Sequence, residues 1–270
     1  MLFPNKPMPI NLFDANFYRS ANSNLNALSD KEARSHFKSY GLDNGLEFSS
    51  LVDLDFYRAS NSDLAGLNNK EAYEHLVNYG VSQGRKFSSL VDLDFYRKTN
   101  SDKTSLTYEE LLEDLQNKGI ASGKSFSPFF NINYYLADNP DIAKTFGNSY
   151  KEAFDNFVIE GLISGGSFSP GFDAQFYLND HTDLAVSSLD NEQLLEHFVL
   201  NGLSEGRTSA PGFDVKYYLN NNSILKNAGF NYSDAYEHFV SVGLRDGLRA
   251  SEFIESDRAG NVLNDARTIT

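Results

Sequence analysis

Between residues 69 and 80 the chain reads NKEAYEHLVNYG, and Ala72, His75, Leu76 and Tyr79 fall at i, i+3, i+4 and i+7. That spacing places them on one largely apolar face of an α-helix. A glycine closes the stretch, and equivalent glycines stand at Gly41, Gly80, Gly119, Gly161, Gly202 and Gly243. Each occupies the place where a left-handed residue ends a helix. A second glycine follows four residues later, at Gly45, Gly84, Gly123, Gly165, Gly206 and Gly247. No β-hairpin dipeptide and no sustained alternation of polar and apolar positions occurs, so the pattern predicts an all-α chain.

The helical pattern is written six times. The stretch FSSLVDLDFYR occurs at residues 48–58 and again at 87–97, and four weaker copies share its register. The aromatic pairs Phe17-Tyr18, Phe56-Tyr57, Phe95-Tyr96, Tyr134-Tyr135, Phe176-Tyr177 and Tyr217-Tyr218 recur at intervals of 39, 39, 39, 42 and 41 residues. Three residues before each pair stands Asp14, Asp53, Asp92, Asn131, Asp173 or Asp214. A side-chain oxygen there is suited to cap the first turn of a short helix. In NPDIA the same grammar predicts a further helix start, with Asn139 as cap and Pro140 in the first turn.

A unit of about forty residues cannot bury its apolar face by itself, and stacked neighbours must do so. The expected fold is therefore an array of tandem helical repeats, as a solenoid or a compact superhelix. Its units span residues 13–51, 52–90, 91–129, 130–171, 172–212 and 213–251, between a lead-in (1–12) and a following segment (252–270). The two rings of each pair lie about a hundred degrees apart on their helix. One is expected to fill its own unit while the other reaches the next.

Composition narrows the function classes. A net charge of −14 and a pI near 4.7 repel phosphate backbones and anionic lipid surfaces. The absence of cysteine excludes disulfides, zinc–thiolate sites and thiol catalysis. The opening MLFPNKPMPINLF lacks the basic and apolar regions of a signal peptide, and no run approaches eighteen apolar residues.

Several columns carry residues with chemical potential. GVSQG (80–84) and GLSEG (202–206) match the spacing of a nucleophile elbow. That motif needs a strand before the serine, and here a helix precedes it. The equivalents of Ser82 and Ser204 are Asp43, Ala121, Ile163 and Arg245, so the serine is incidental to the repeat. His36, His75, His197 and His238 share one position, with Asp114 and Asn156 in the remaining units. Packed helices stand about 8–10 Å apart, too far to share one ion easily, so these are expected as half-buried residues bonded to a neighbouring unit.

Asp63, Asp102, Asp141 and Asp183 also recur, either as first-turn stabilisers of a short helix or as calcium ligands in acidic loops. The column Tyr18, Tyr57, Tyr96, Tyr135, Tyr177 and Tyr218 reads as core, or as a platform on which sugar rings stack. Arg85, Lys124 and Arg207 are expected to tie units together through Asp92, Asn131 and Asp214.

The motifs GFDAQFYLNDHTDLA, EHFVLNGLSEGR, PGFDVKYYL and NPDIA resemble a tandem repeat of bacterial, often cyanobacterial, surface and exported proteins, over residues 13–251. That repeat often accompanies hemolysin-type calcium-binding repeats, and it brings no catalytic residues. ESDRAGNVLNDARTIT (255–270) is similar to the entrance of a pre-peptidase C-terminal-type β-sandwich, with Asp257, Ala259, Gly260, Asn261, Leu263, Ala266, Arg267 and Ile269 matching. Together these resemblances imply a non-enzymatic structural or interaction module of a secreted or cell-surface protein, exported without an N-terminal signal as in type I secretion. Its partners would be a protein or a cell-surface glycan, with no nucleic acid and no membrane insertion. The alternatives are a calcium-responsive structural module and an N-terminal accessory or pro-region of a secreted peptidase. No cofactor other than calcium is implied.

Overall fold

A computed structural model describes residues 10–251. The similarity to a pre-peptidase-type domain at 255–270 lies outside the described residues. Among the described residues the chain is all-helical, without a β-strand, and its helices form repeat-like units. No helix among them is long and apolar enough to cross a membrane.

Each repeat opens with a seven-residue helix: Ala15–Ala21, Leu54–Ser60, Leu93–Thr99, Ile132–Asp138, Ala174–Asp180 and Val215–Asn221. The expected caps are in place. Asp14, Asp53 and Asp214 each accept from two first-turn amides, and Asp92, Asn131 and Asp173 from one.

The long helices follow at Asp30–His36, Asn69–His75, Tyr108–Asp114, Tyr150–Asn156, Asn191–His197 and Tyr232–His238. Reciprocal capping boxes start five of them: Ser29 with Glu32, Asn68 with Glu71, Thr107 with Glu110, Asp190 with Gln193 and Asn231 with Asp234. Each then widens into a π-helical turn that ends on the first of the two glycines, as in Leu76–Gly80.

The two glycines have roles different from those expected. The first lies in ordinary right-handed helical backbone, with φ of −60° at Gly119 and −56° at Gly202. The left-handed residue is the second: Gly45, Gly84, Gly123, Gly165, Gly206 and Gly247 have φ between 63° and 73°. In repeat 2, Arg85 N–H donates to Gly80 O and Gly84 N–H to Val81 O, the paired bonds of a Schellman ending.

The segments joining one repeat to the next are buried, unlike most connections. Phe48–Val52 and Phe87–Val91 are buried at all five positions. Their backbone is satisfied locally. Ser49 Oγ accepts from Leu51 N–H and Ser88 Oγ from Leu90 N–H. A recurring bond then closes each repeat on itself, from the cap residue to the last residues of the same unit. Asp14 N–H donates to Phe48 O (3.0 Å), Asp53 to Phe87 (3.0 Å), Asp92 to Phe126 (3.0 Å), Asn131 to Phe168 (3.2 Å), Asp173 to Ser209 (2.8 Å) and Asp214 to Ala250 (3.0 Å).

The chain forms two compact units. One comprises the residues up to Phe126 with Phe154–Ile159, the other Ser127–Ala153 with the residues from Glu160 onward. In the first, Phe37 packs against Phe13, Phe48 and Tyr73, which links repeats 1 and 2. Contacts there also reach past the adjacent repeat: Gln116 Nε2 of repeat 3 donates to Asn11 O of the lead-in, and Ser50 Oγ of repeat 1 donates to Asp155 Oδ1 of repeat 4 at 2.6 Å. In the second unit Tyr236 gathers Phe129, Phe198 and Phe213 around its ring. Phe129 ends repeat 3 and Tyr236 lies in repeat 6, so repeats 4 and 5 are passed over here.

Candidate functional site

The tyrosine column is the centre of each repeat. Tyr18, Tyr57, Tyr96, Tyr135, Tyr177 and Tyr218 are all buried, at 0–1% exposure. A stacking platform needs an open ring face, so the sugar-platform reading gives way to core. The partnering aromatics grade along the chain. Phe17, Phe56 and Phe95 are buried, while Tyr134, Phe176 and Tyr217 are half-buried.

In repeats 1, 2, 3, 5 and 6 the tyrosine hydroxyl reaches the histidine position of its own repeat. It lies 2.7 Å from Nδ1 of His36, His75 and His238, and 2.9 Å from that of His197. The histidines are half-buried as expected, but they bond within their repeat rather than to a neighbour.

Repeat 3 shows the direction of the bond. Tyr96 donates to Asp114 Oδ2 at 2.6 Å, because an ionised carboxylate only accepts. Burial would raise the Asp114 pKa, but the hydrogen bonds from Tyr96 and Lys103 outweigh it and hold the carboxyl below its ordinary value. Burial also pushes the phenols up, to about 12 for Tyr57 and Tyr218, so they stay protonated donors. In repeats 1, 2, 5 and 6 the same hydroxyl faces histidine Nδ1, which takes the acceptor place of the carboxylate.

The first glycine exists for this tyrosine. A Cβ at Gly41, Gly80, Gly119, Gly202 or Gly243 would stand under 3.0 Å from the facing hydroxyl oxygen. Only hydrogen fits there, which explains a glycine inside helical backbone.

An asparagine column adds a second set of ties that the sequence motifs do not single out. Asn61 Nδ2 donates to Tyr57 O (2.7 Å) and Lys86 O (3.0 Å), and Asn100 Nδ2 to Tyr96 O (2.8 Å) and Ser125 O (2.9 Å). Asn22 and Asn139 make the same pair of bonds, and His181 Nδ1 meets Tyr177 O in repeat 5. Asn139 thus stands at the start of Pro140–Phe146 without capping it through its side chain. The available signal is the recurrence of asparagine a turn after the aromatic pair.

The acidic column pairs with cations. Asp63 meets Arg85 at 2.8 Å, Asp183 meets Arg207 at 2.8 Å, and Asp102 meets Lys103 at 2.9 Å. Arg85 and Arg207 therefore bond the preceding aspartates of their own repeats, and Asp92 and Asp214 serve as caps. Hydrogen bonds from these cations hold Asp63, Asp102 and Asp183 below the usual carboxylate range. Asp141 is exposed, in the one repeat with glycine (Gly166) beside a helix-forming Pro140–Phe146 segment. Among the described residues no three His, Asp or Glu side chains group where they could hold one ion.

The serines of the two Gly-x-Ser-x-Gly stretches are bound to their own helices. Ser82 Oγ donates to Tyr79 O and Ser204 Oγ to Asn201 O, each back onto the preceding helical turn. No protein-family model, no curated protein and no solved structure matches this chain.

Proposed function

We propose that the chain is a non-enzymatic structural and interaction module of a secreted or cell-surface protein. One observation carries the reading. The side chains that could do chemistry recur in columns, and each column has a structural partner inside its own repeat. Histidine accepts from tyrosine, aspartate caps a helix or pairs with arginine, and serine folds back on its helix. Such a division of labour suits a chain that builds a surface, since catalysis needs several groups converging on one place. The compartment rests on the resemblance of the repeat and of residues 255–270 to exported proteins.

The test is a screen of the purified chain against ester, peptide, glycoside and phosphate substrates, with a parallel thermal melt in calcium and in chelator. The expected result is no turnover and one melting midpoint. Turnover removed by a single substitution would overturn the non-enzymatic reading. A midpoint raised by calcium would replace it with a cation-responsive module.

A further inference from the structure

The side chains that give up an electron most readily are cysteine, tryptophan, methionine and tyrosine. This chain has no cysteine and no tryptophan, and its two methionines, Met1 and Met8, stand in the lead-in. An electron lost from the described residues therefore leaves a tyrosine. What each hydroxyl faces decides which tyrosine can hold the vacancy.

Tyr18 and Tyr57 are 0% exposed, and each hydroxyl oxygen lies 2.7 Å from Nδ1 of a half-buried histidine, His36 or His75. Removing only an electron from such a ring would leave a cation in an apolar interior. Removing only the proton would leave a buried phenolate. Both are costly where water is excluded. Removing the two together leaves a neutral ring, with the positive charge on an imidazole nearer the surface of an acidic protein. The partner matters for this. Asp114 offers Tyr96 a carboxylate, a weaker base than imidazole, and repeat 4 carries the amide of Asn156, which takes up no proton.

In repeats 1 and 2 the same imidazole also touches a surface ring. The His36 centroid lies 6.0 Å from that of Tyr18 and 5.2 Å from that of Tyr40, and His75 lies 6.0 Å from Tyr57 and 5.5 Å from Tyr79. Tyr40 and Tyr79 are 53% and 57% exposed, open to a diffusing oxidant that cannot reach the inner ring. The other repeats have Lys118, Glu160, Asn201 and Val242 in that place, so the repeat itself does not demand an aromatic there.

We propose that Tyr18–His36 and Tyr57–His75 are reversible one-electron oxidation sites, loaded through Tyr40 and Tyr79 by small oxidising radicals. With azide radical as the oxidant, Tyr79 gives one electron, azide anion forms, and the Tyr79 phenolic proton goes to water. Tyr79 then regains an electron from Tyr57 and a proton from water. At the same time the Tyr57 O–H bond breaks and its proton passes to His75 Nδ1. The net products are azide anion, a neutral Tyr57 phenoxyl and a protonated His75. One electron from a reductant such as ascorbate returns the proton and restores the phenol.

Pulse radiolysis of the full chain in azide solution generates this oxidant, and electron paramagnetic resonance of the frozen product reads which ring keeps the vacancy. A buried ring holds one angle to its methylene protons and gives a narrow hyperfine pattern, whereas exposed rings give a spread. The expected result is the narrow pattern, formed more slowly in D2O because a proton moves with the electron, and erased by ascorbate with the protein mass unchanged. Tyr18→Phe with Tyr57→Phe keeps both rings and should lose the pattern. Tyr40→Phe with Tyr79→Phe should lower its yield. His36→Asn with His75→Asn, the residue of repeat 4, should lose it with the hydroxyls still present. A pattern that survives the Tyr18 and Tyr57 substitutions overturns the proposal, as does an equal rate in D2O or a full yield without the two histidines. If circular dichroism shows the histidine variant unfolded, the phenylalanine variants and the solvent exchange decide.

Discussion

Replacing Gly80 by alanine separates two explanations of the same residue. As a plain helical glycine, its exchange for alanine would stabilise the chain by about 0.8–1 kcal/mol. The structure argues for the opposite sign. The new Cβ would lie under 3.0 Å from Tyr57 Oη, 2.9 Å from Tyr57 Cζ and 3.0 Å from Leu76 Cδ1. Tyr57 is buried and held by His75, so the ring must shift and the 2.7 Å bond must lengthen or break. Loss of that bond costs about 0.5–1.5 kcal/mol, and forcing a carbon into a packed interior costs about 1–3 kcal/mol. After subtracting the propensity gain, Gly80→Ala should destabilise by about 0.5–3.7 kcal/mol.

Urea denaturation followed by circular dichroism measures this, and a cycle with Tyr57→Phe locates the cause. Removing the hydroxyl deletes the tightest contact, so Gly80→Ala should cost at least about 1 kcal/mol less in that background. Gly66→Ala is the control, with nothing within 4 Å of its would-be Cβ. If the two substitutions at 57 and 80 are additive, or Gly80→Ala is stabilising, the tyrosine does not explain the glycine.

Asn100→Ala should cost about 1–3 kcal/mol, because the buried Tyr96 carbonyl loses its side-chain donor and the tie to Ser125 O is lost with it; a urea midpoint within error of the parent would refute this. Lys103→Leu alone removes the cation that bonds Asp114, and Asp114→His alone leaves Lys103 with only the exposed Asp102. The double variant restores the pattern of repeats 1 and 2, so it should be more stable than the sum of the singles by about 1 kcal/mol in a double-mutant cycle. Acidification should also weaken the fold. Burial holds the imidazoles of His197 and His238 below the ordinary 6.5, so the unfolded chain takes up protons first. Their contribution is present in full above 6.5 and is lost as pH falls from there through the depressed folded values. Melting midpoints should drop between pH 7.5 and 5.5, before the paired carboxylates titrate, and a flat profile over that window would contradict the assignment.

Local signals made most of the helical fold legible. The aromatic period, the Asp and Asn caps and the absence of strand patterning all concern residues a few positions apart, where chain geometry dictates who meets whom. The capping boxes were equally local, as SDKE, NNKE, TYEE and DNEQ show. What stayed hidden depended on approach across the repeat. Two glycines four residues apart compete for one left-handed ending, and only the tyrosine facing Gly80 shows why the earlier one remains helical. The histidine's partner lies 18 or 20 residues away, so spacing along one helix does not reveal it. A clue was present in repeat 3, where Lys103 replaces an apolar residue in the same unit that replaces histidine by Asp114.

The buried closure of each repeat also dictates where this architecture can change length. The histidine-position residue and the next cap keep one interval in His36/Asp53, His75/Asp92, Asp114/Asn131, Asn156/Asp173 and His197/Asp214. The extra residues of repeats 4 to 6 all fall earlier, between the two helices. There the three-residue turns Ser23–Leu25 and Ser62–Leu64 grow into the helices Pro140–Phe146 and Ser223–Asn227. That elbow is where evolution has room to add material without disturbing the scaffold, and where an engineer would graft a loop or an epitope.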